Sequence, residues 1–172
     1  QKTLQHLLSK EWNVENLSYF PLIMYQNGYA DKAYDYMLYL TDPSTKRREY
    51  PEVSFGVIKG FVEGLMGIDA DTRFNRVSTL YRSSKETTST VNNVPLLKTF
   101  LSVTHKGSKQ SLLTNTGKKA VTWRAKFPGD HASIYINNKP ATIKKEKDWL
   151  GNIVSFTDAV VEPGKAMTIK VI

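Results

Sequence analysis

Two carboxylates and a tyrosine that could take part in acid–base chemistry lie close together near the middle of the chain. Glu49, Tyr50 and Glu52 stand just before a helix-like stretch, and the basic run 46–48 precedes them. A cation beside a carboxylate favours the charged form, which is the form that accepts a proton. The alternatives are a surface salt bridge, worth about 0–1 kcal/mol, and for Glu52 a stabilising place in the first turn of the helix.

The stretch that follows these residues carries glycine at every fourth position, at Gly56, Gly60 and Gly64. A glycine inside a helix costs roughly 0.5–1 kcal/mol relative to alanine. Three of them on one helix face predict that another segment packs very close to that face. The stripe that begins at Val53 and ends at Leu65 supplies the apolar contacts.

The elements that would position this segment are helical over about the first 70 residues. Apolar side chains recur at helical spacing from Leu4 to Trp12 and again from Asp31 to Leu40. Between these two stretches, Ser18 is expected to cap the N-terminus of a second helix. The glycine after Asn27 is expected to end that helix. A polar loop over 41–51 leads into the glycine-bearing helix.

From about Val77 the apolar period changes to two, which is typical of strands. Seven or eight short strands separated by turn residues predict a β-sandwich. The segment 82–90 is polar and rich in Ser and Thr, which indicates an excursion over the surface. The fold class predicted is therefore α+β in two parts: helical hairpins over 1–70 and an antiparallel β-sandwich over 71–172.

Composition excludes several functions. The chain of 172 residues has no cysteine, and its three histidines, His6, His105 and His131, are scattered. We therefore expect no metal site and no cofactor, and a surface or hydrogen-bonded role for each histidine. No apolar run approaches the roughly 20 residues that span a bilayer, so no membrane span is expected.

Charge is distributed unevenly along the chain. Residues 1–70 hold 7 basic and 9 acidic side chains, a net charge of −2, and residues 71–172 hold 17 basic and 7 acidic ones, a net charge of +10. Such asymmetry occurs in nucleic-acid-binding proteins. The basic residues here alternate with apolar ones along the strands, which favours a solvated sheet face, and they lack the interleaved aromatic residues of a stacking platform. No nucleic-acid partner is predicted.

Several short segments resemble the end of an (α/α)6 toroid. The segments are Tyr19-Phe20-Pro21, the hairpin 25–40, Glu49-Tyr50-Pro51-Glu52-Val53-Ser54-Phe55-Gly56 and Val62-Glu63-Gly64-Leu65-Met66-Gly67-Ile68. They are similar to six-hairpin glycoside hydrolases, above all the bacterial trehalase-like and rhamnosidase-like branches. The segments 101–107, 112–115 and 161–170 resemble the C-terminal β-sandwich that follows the toroid in many of these enzymes.

The resemblance implies a function and assigns roles. The chain would be the C-terminal fragment of a carbohydrate-active hydrolase whose partners are the upstream part of the same polypeptide and a carbohydrate substrate. Glu49 would be the general base, Glu52 the second candidate for it, and Tyr50 a residue that touches the sugar. The general acid would lie outside the chain, so the fragment alone is expected to be inactive. A bacterial glycan-degrading enzyme of this kind would be periplasmic or secreted.

Another class of function also fits the sequence. A stand-alone module could bind carbohydrate or protein, with the sandwich recognising a glycan and the helices docking to a partner. Exposed aromatic side chains on one sandwich face would favour this alternative. Trp123 is the only strand tryptophan, however, so the sequence supports it less than the hydrolase fragment.

Overall fold

A computed structural model describes residues 2–172, which divide into two compact units, one ending at Phe61 and the other spanning Val62–Ile172. The first unit is helical, and the second consists mainly of two sheets. The predicted α+β layout, with helices first and a two-sheet β part second, is confirmed. No helix within residues 2–172 has the length and apolar character needed to cross a membrane.

Five α-helices and one π-helix make up the helical part. They are α1 (Lys2–Leu8), α2 (Val14–Leu17), α3 (Phe20–Gln26), α4 (Ala30–Thr41), α5 (Pro51–Lys59) and the π-helix Gly60–Leu65. The side chain of Asn13 caps α2 by accepting a hydrogen bond from the amide of Asn16 at 2.9 Å. The inward face of α4 buries Ala33 and Leu40, at the spacing expected of one helix face.

Two details of the helical prediction are wrong. Helix α1 ends at Leu8, so Trp12 lies beyond it, with its indole N–H donating to the carbonyl of Leu7 at 2.8 Å. Ser18 does not cap the helix that begins at Phe20, because its hydroxyl donates to the carbonyl of Glu15 at 2.6 Å and it ends α2 instead. In both cases the polar group of the side chain donates to a backbone carbonyl a few residues earlier in the chain.

Two of the three glycines allow the predicted close packing, Gly56 in α5 and Gly60 at the first position of the π-helix. A Cβ atom on Gly56 would lie 2.3 Å from the carbonyl oxygen of Ser18, and one on Gly60 would lie 2.6 Å from the Cβ of Pro21. The helix therefore approaches the backbone that joins α2 to α3 and the start of α3 more closely than any larger residue permits.

The second unit contains eleven strands. They are β1 (Asp69–Asp71), β2 (Arg76–Leu80), β3 (Thr88–Leu96), β4 (Thr99–Lys106), β5 (Gln110–Asn115), β6 (Val121–Pro128), β7 (Ile134–Ile136), β8 (Lys139–Ala141), β9 (Lys144–Lys147), β10 (Ile153–Val161) and β11 (Ala166–Val171). A 3₁₀ turn, Thr72–Phe74, follows β1. One sheet has the order β1-β2-β6-β10-β9 and the other the order β3-β4-β5-β11-β7-β8.

Neighbouring strands pair antiparallel except β2 and β6, which run parallel. The core consists of inward-facing apolar side chains that are buried almost completely: Val77, Leu101, Val103, Leu113, Val121, Trp123, Ala125, Phe127, Ile134 and Ile169. The alternation along β6 is regular, since Val121, Trp123, Ala125 and Phe127 are buried and the residues between them are partly exposed.

The predicted surface excursion over 82–90 is only partly right. Strand β3 begins at Thr88, at the edge of the six-stranded sheet, and pairs with β4 alone. None of its nine side chains is buried and five of them are exposed, as suits an edge strand with one hydrogen-bonded neighbour. A strand of this composition gives no apolar alternation to detect.

Gly67 is a position where alanine should be strongly destabilising. Its φ is +60°, and a Cβ atom there would lie 1.9 Å from the carbonyl oxygen of Leu80. We expect Gly67→Ala to lower the free energy of unfolding by about 1–3 kcal/mol for the left-handed backbone alone, with the backbone clash adding to this. Urea unfolding measures it.

Gly164 supplies the matched control for that substitution. Its φ is +68°, but no atom lies within 4 Å of the added Cβ. Gly164→Ala should therefore show the conformational cost without the clash. Equal losses of stability in the two variants would contradict the close approach of Gly67 to β2.

Candidate functional site

The loop before the candidate carboxylates is held by local hydrogen bonds. The carboxylate of Asp42 accepts from the amide of Ser44 at 2.8 Å and from its hydroxyl at 2.7 Å, and these bonds hold the pKa of Asp42 below its usual range. The buried hydroxyl of Thr45 donates to the carbonyl of Tyr39 at 2.6 Å. The loop thus has a defined course where it leaves α4.

Tyr50 begins the glycine-bearing helix. Its backbone is extended, with φ −64° and ψ 139°, and Pro51 follows at the first helical position. The guanidinium of Arg47 lies over the Tyr50 ring, 5.0 Å from its centroid, and also forms an ion pair with Glu15. Arg47 adopts a φ of +66°. The Tyr50 side chain is 41% exposed and contacts the Arg47 guanidinium through its ring.

Glu49 and Glu52 have different surroundings in the structure. Glu49 is exposed on the loop. Glu52 lies in the first turn of α5 and lines a groove of about 260 Å³. The groove is lined by Ser18, Tyr19, Leu22, Ile23, Glu52, Phe55, Gly56 and Lys59.

This groove is walled by two aromatic side chains that the sequence did not single out as site residues. Tyr19 is 62% exposed and Phe55 is 70% exposed. Aromatic faces stack on the apolar faces of sugar rings, and a carboxylate such as Glu52 accepts hydrogen bonds from sugar hydroxyls. The signal for Phe55 was present, because it stands three residues after Glu52 on the same helix. Tyr19 reaches the groove only through the packing of α3 on α5.

A larger hollow lies elsewhere in the helical unit. It has a volume of about 490 Å³ and is lined by Leu8, Leu17, Lys32, Asp35, Tyr36 and Tyr39. Its walls are mainly apolar and carry one cation and one carboxylate. Neither Glu49 nor Glu52 is among its lining residues.

The outer face of the five-stranded sheet carries a network of ion pairs. Arg124 binds the carboxylate of Asp158 with two hydrogen bonds, at 2.7 and 3.1 Å, and this contact holds the pKa of Asp158 below its usual range. Lys144 also reaches Asp158, at 3.2 Å, and Lys126 pairs with Glu146 at 2.6 Å. Part of the basic excess on these strands is therefore compensated by neighbouring carboxylates.

The described residues offer no cluster for a metal. Over residues 2–172, no group of three or more His, Asp or Glu side chains is placed to hold a metal ion. His105 is fully buried and hydrogen-bonded, and the ring of His131 lies 2.9 Å from the carbonyl of Pro128.

Comparison with known protein sequences assigns the chain to no family. No family model matches the sequence, and no curated protein matches it. A similar solved structure is a GH127 β-L-arabinofuranosidase from Geobacillus stearothermophilus T6, with a TM-score of 0.39 and 11% sequence identity over 76% of this chain. The match covers 22% of that enzyme's chain. A likeness at this level assigns neither a family nor a function.

Proposed function

We propose that this chain is the C-terminal part of a carbohydrate-active glycoside hydrolase. Residues 1–70 would be the last hairpins of an (α/α)6 toroid, and residues 71–172 the β-sandwich that follows it. The resemblance of the Glu49–Gly56 and Val62–Ile68 segments to six-hairpin enzymes supports this proposal. The observed order of helices and sheets agrees with it.

The observation that carries the proposal is that two helices are apolar on more than one face. In α4, Ala33 and Leu40 are buried, whereas Tyr34 and Leu38, four residues apart, are 44% and 51% exposed. In α5, Ile58 is 59% exposed and does not line the groove described above. Each helix therefore has an exposed apolar side chain outside its buried face.

A helix that is apolar on two faces is typical of one with neighbours on both sides. Contiguous exposed apolar patches mark contact surfaces in soluble proteins. In an (α/α)6 toroid, each hairpin packs between two others. Further hairpins of the same polypeptide are the partner that this geometry fits best.

Within this proposal the three candidate residues keep their separate roles. Glu49, exposed at the entrance to α5, is the general base, and Glu52 in its aromatic-walled groove is the second candidate. Tyr50 contacts the sugar. The general acid comes from the upstream hairpins, and in an inverting enzyme its carboxyl lies roughly 6.5–9.5 Å from that of the base. The enzyme is bacterial, and periplasmic or secreted.

Activity of the separate parts tests the proposal. Residues 1–172 alone should hydrolyse no substrate in a panel of aryl glycosides, because the acid partner is missing. The complete natural polypeptide should hydrolyse at least one. Hydrolysis by residues 1–172 alone, or none by the complete polypeptide across a panel that includes oligosaccharides, would contradict the proposal.

One observation favours the second candidate, a stand-alone binding module. Trp149 is 68% exposed on the turn between β9 and β10. The carboxylate of Asp148 closes this turn by accepting from the amides of Leu150 and Asn152 at 2.9 and 2.8 Å. A preorganised exposed tryptophan is a common anchor for a partner. This candidate requires residues 1–172 to bind a polysaccharide or a protein alone, which affinity electrophoresis and pull-down measure.

A further inference from the structure

Five consecutive backbone carbonyls, those of Glu63 to Gly67, all accept hydrogen bonds from Leu80, Arg82 or His105. Nη1 of Arg82 donates to the carbonyls of Glu63 and Gly64 at 3.0 and 2.9 Å. The amide of Arg82 donates to Leu65 at 2.9 Å, Nε2 of His105 lies 3.0 Å from the Met66 carbonyl, and the amide of Leu80 donates to Gly67 at 3.2 Å. We call this set of contacts the carbonyl clamp.

The clamp satisfies groups that a helix end leaves unpaired. The last carbonyls of a helix have no partner within the helix, and a buried carbonyl without a partner is costly. Residues 64–68 are all buried. The clamp therefore fixes the end of the π-helix to β2 and β4 through hydrogen bonds that include two side chains, those of Arg82 and His105.

His105 is the clamp member that changes charge most readily. Its side chain is fully buried, with the Tyr81 ring stacked on it at 4.8 Å between centroids. A carbonyl only accepts, so Nε2 carries the proton toward Met66, and Nδ1 accepts from the hydroxyl of Ser111 at 2.7 Å. Neutral imidazole satisfies both partners without placing a charge in the core.

We propose that His105 makes the carbonyl clamp acid-sensitive: protonation of its ring opens the clamp and releases residues 63–68 from β2 and β4. The inference stands independently of the proposed enzymatic function, because every contact in it lies within residues 62–172. It assigns this histidine a role as a pH sensor at the point where the helical chain enters the β-sandwich unit.

The direction of the pH dependence follows from burial. Loss of hydration disfavours the charged ring and lowers the pKa of His105 to about 4, while the hydrogen bond to Met66 partly opposes this. In the open clamp the ring meets water and regains an ordinary pKa of about 6.5. The open state therefore binds a proton more tightly than the closed state does. Its population rises as the pH falls from about 6.5 to about 4.

Other ionisable groups also lie around the clamp, on Tyr81, Arg82 and Glu86. Tyr81 stacks on the ring, and its hydroxyl bonds Thr87 and Ser89. The pKa of Arg82 is lowered by burial, an effect that Asp148 and Asp69 oppose. Glu86 accepts from the hydroxyl of Ser108 at the turn between β4 and β5. All of these groups remain in a His105→Gln variant, so that variant separates their titration from that of His105.

Residue-resolved amide exchange tests the proposal on the full chain at pH 7 and pH 5. The amides of Leu80 and Arg82 report the clamp, and those of Trp123 and Ala125 on β6 report global unfolding. After correction for intrinsic rates, we expect exchange at Leu80 and Arg82 to be roughly 20-fold faster at pH 5 than at pH 7. Their exchange should depend little on denaturant, as a local opening requires.

The variant decides whether His105 is the sensor. Glutamine keeps an N–H donor for Met66 but does not titrate, so the acceleration should disappear in His105→Gln. Acceleration that persists in this variant, or that shows the denaturant dependence of the β6 amides in the wild type, would overturn the proposal.

A titration of the wild-type protein keeps the proposal falsifiable if the variant does not fold. The NMR signal of the His105 ring should follow the opening of the clamp amides as the pH falls below about 6.5. A ring that titrates while Leu80 and Arg82 stay protected would overturn the proposal.

Discussion

Replacing Glu49 by glutamine in the complete protein should lower kcat by roughly 10²–10⁴-fold, the contribution typical of general acid–base catalysis. Glutamine has nearly the same shape but cannot accept the proton of the attacking water. Glu49 is exposed on its loop, so the free energy of unfolding should change little. Initial rates on the best aryl glycoside, together with urea unfolding, measure the two effects.

Glu52→Gln is the matched control, because it makes the same chemical change three residues further on. With Glu49 as the base, Glu52→Gln should affect KM more than kcat, since Glu52 lies in the groove walled by Tyr19 and Phe55. A larger fall in kcat from Glu52→Gln than from Glu49→Gln would transfer the role to Glu52. Near-normal activity in both variants would remove the catalytic assignment altogether.

Trp123→Ala should cause the largest loss of stability among the substitutions considered. The side chain is fully buried in the centre of β6, and its indole N–H donates to the buried hydroxyl of Thr79 at 3.0 Å. Removing it leaves a cavity and an unpaired hydroxyl, and such truncations cost about 3–5 kcal/mol. The midpoint of urea unfolding, read by circular dichroism, should fall accordingly.

Trp123→Phe separates packing from hydrogen bonding. Phenylalanine keeps most of the apolar contact but cannot donate to Thr79, so we expect a smaller loss of about 1–3 kcal/mol. A loss from Trp123→Ala of less than about 1 kcal/mol would show that this side chain is not at the centre of the core.

The sequence predicted elements whose burial pattern is regular. Helix α4, expected from Asp31 to Leu40, spans Ala30–Thr41, because apolar residues recur on its inward face. Strand β6, in the region where the apolar period is two, spans Val121–Pro128 with every second side chain buried. In both elements one face meets the core along the whole length, so the apolar period follows the backbone period.

Elements governed by distant contacts left no such pattern. The π-helix and the carbonyl clamp depend on backbone carbonyls of 63–67 meeting Arg82 and His105, and carbonyl groups carry no sequence signal. Strand β1, only three residues long, is defined by its pairing with β2. The apolar pattern of the sequence therefore predicts local elements but not those that depend on long-range pairing.

The candidate site was accessible to sequence reasoning only in part. The grouping of Glu49, Tyr50 and Glu52 follows from adjacency along the chain. The stacking of Arg47 on Tyr50 depends on a left-handed backbone at Arg47, and the groove around Glu52 depends on α3 packing against α5. Sequence therefore identified the titratable residues, and the structure added the aromatic residues around them.

The intact mass of the protein as its natural source produces it tests the central claim most directly. A mass several times the 19.5 kDa of this chain is the predicted result, because the proposed toroid would require upstream hairpins to cover exposed apolar side chains such as Leu38 and Ile58. A mass near 19.5 kDa would mean that these residues act alone, and it would contradict the proposal that they are part of a larger glycoside hydrolase.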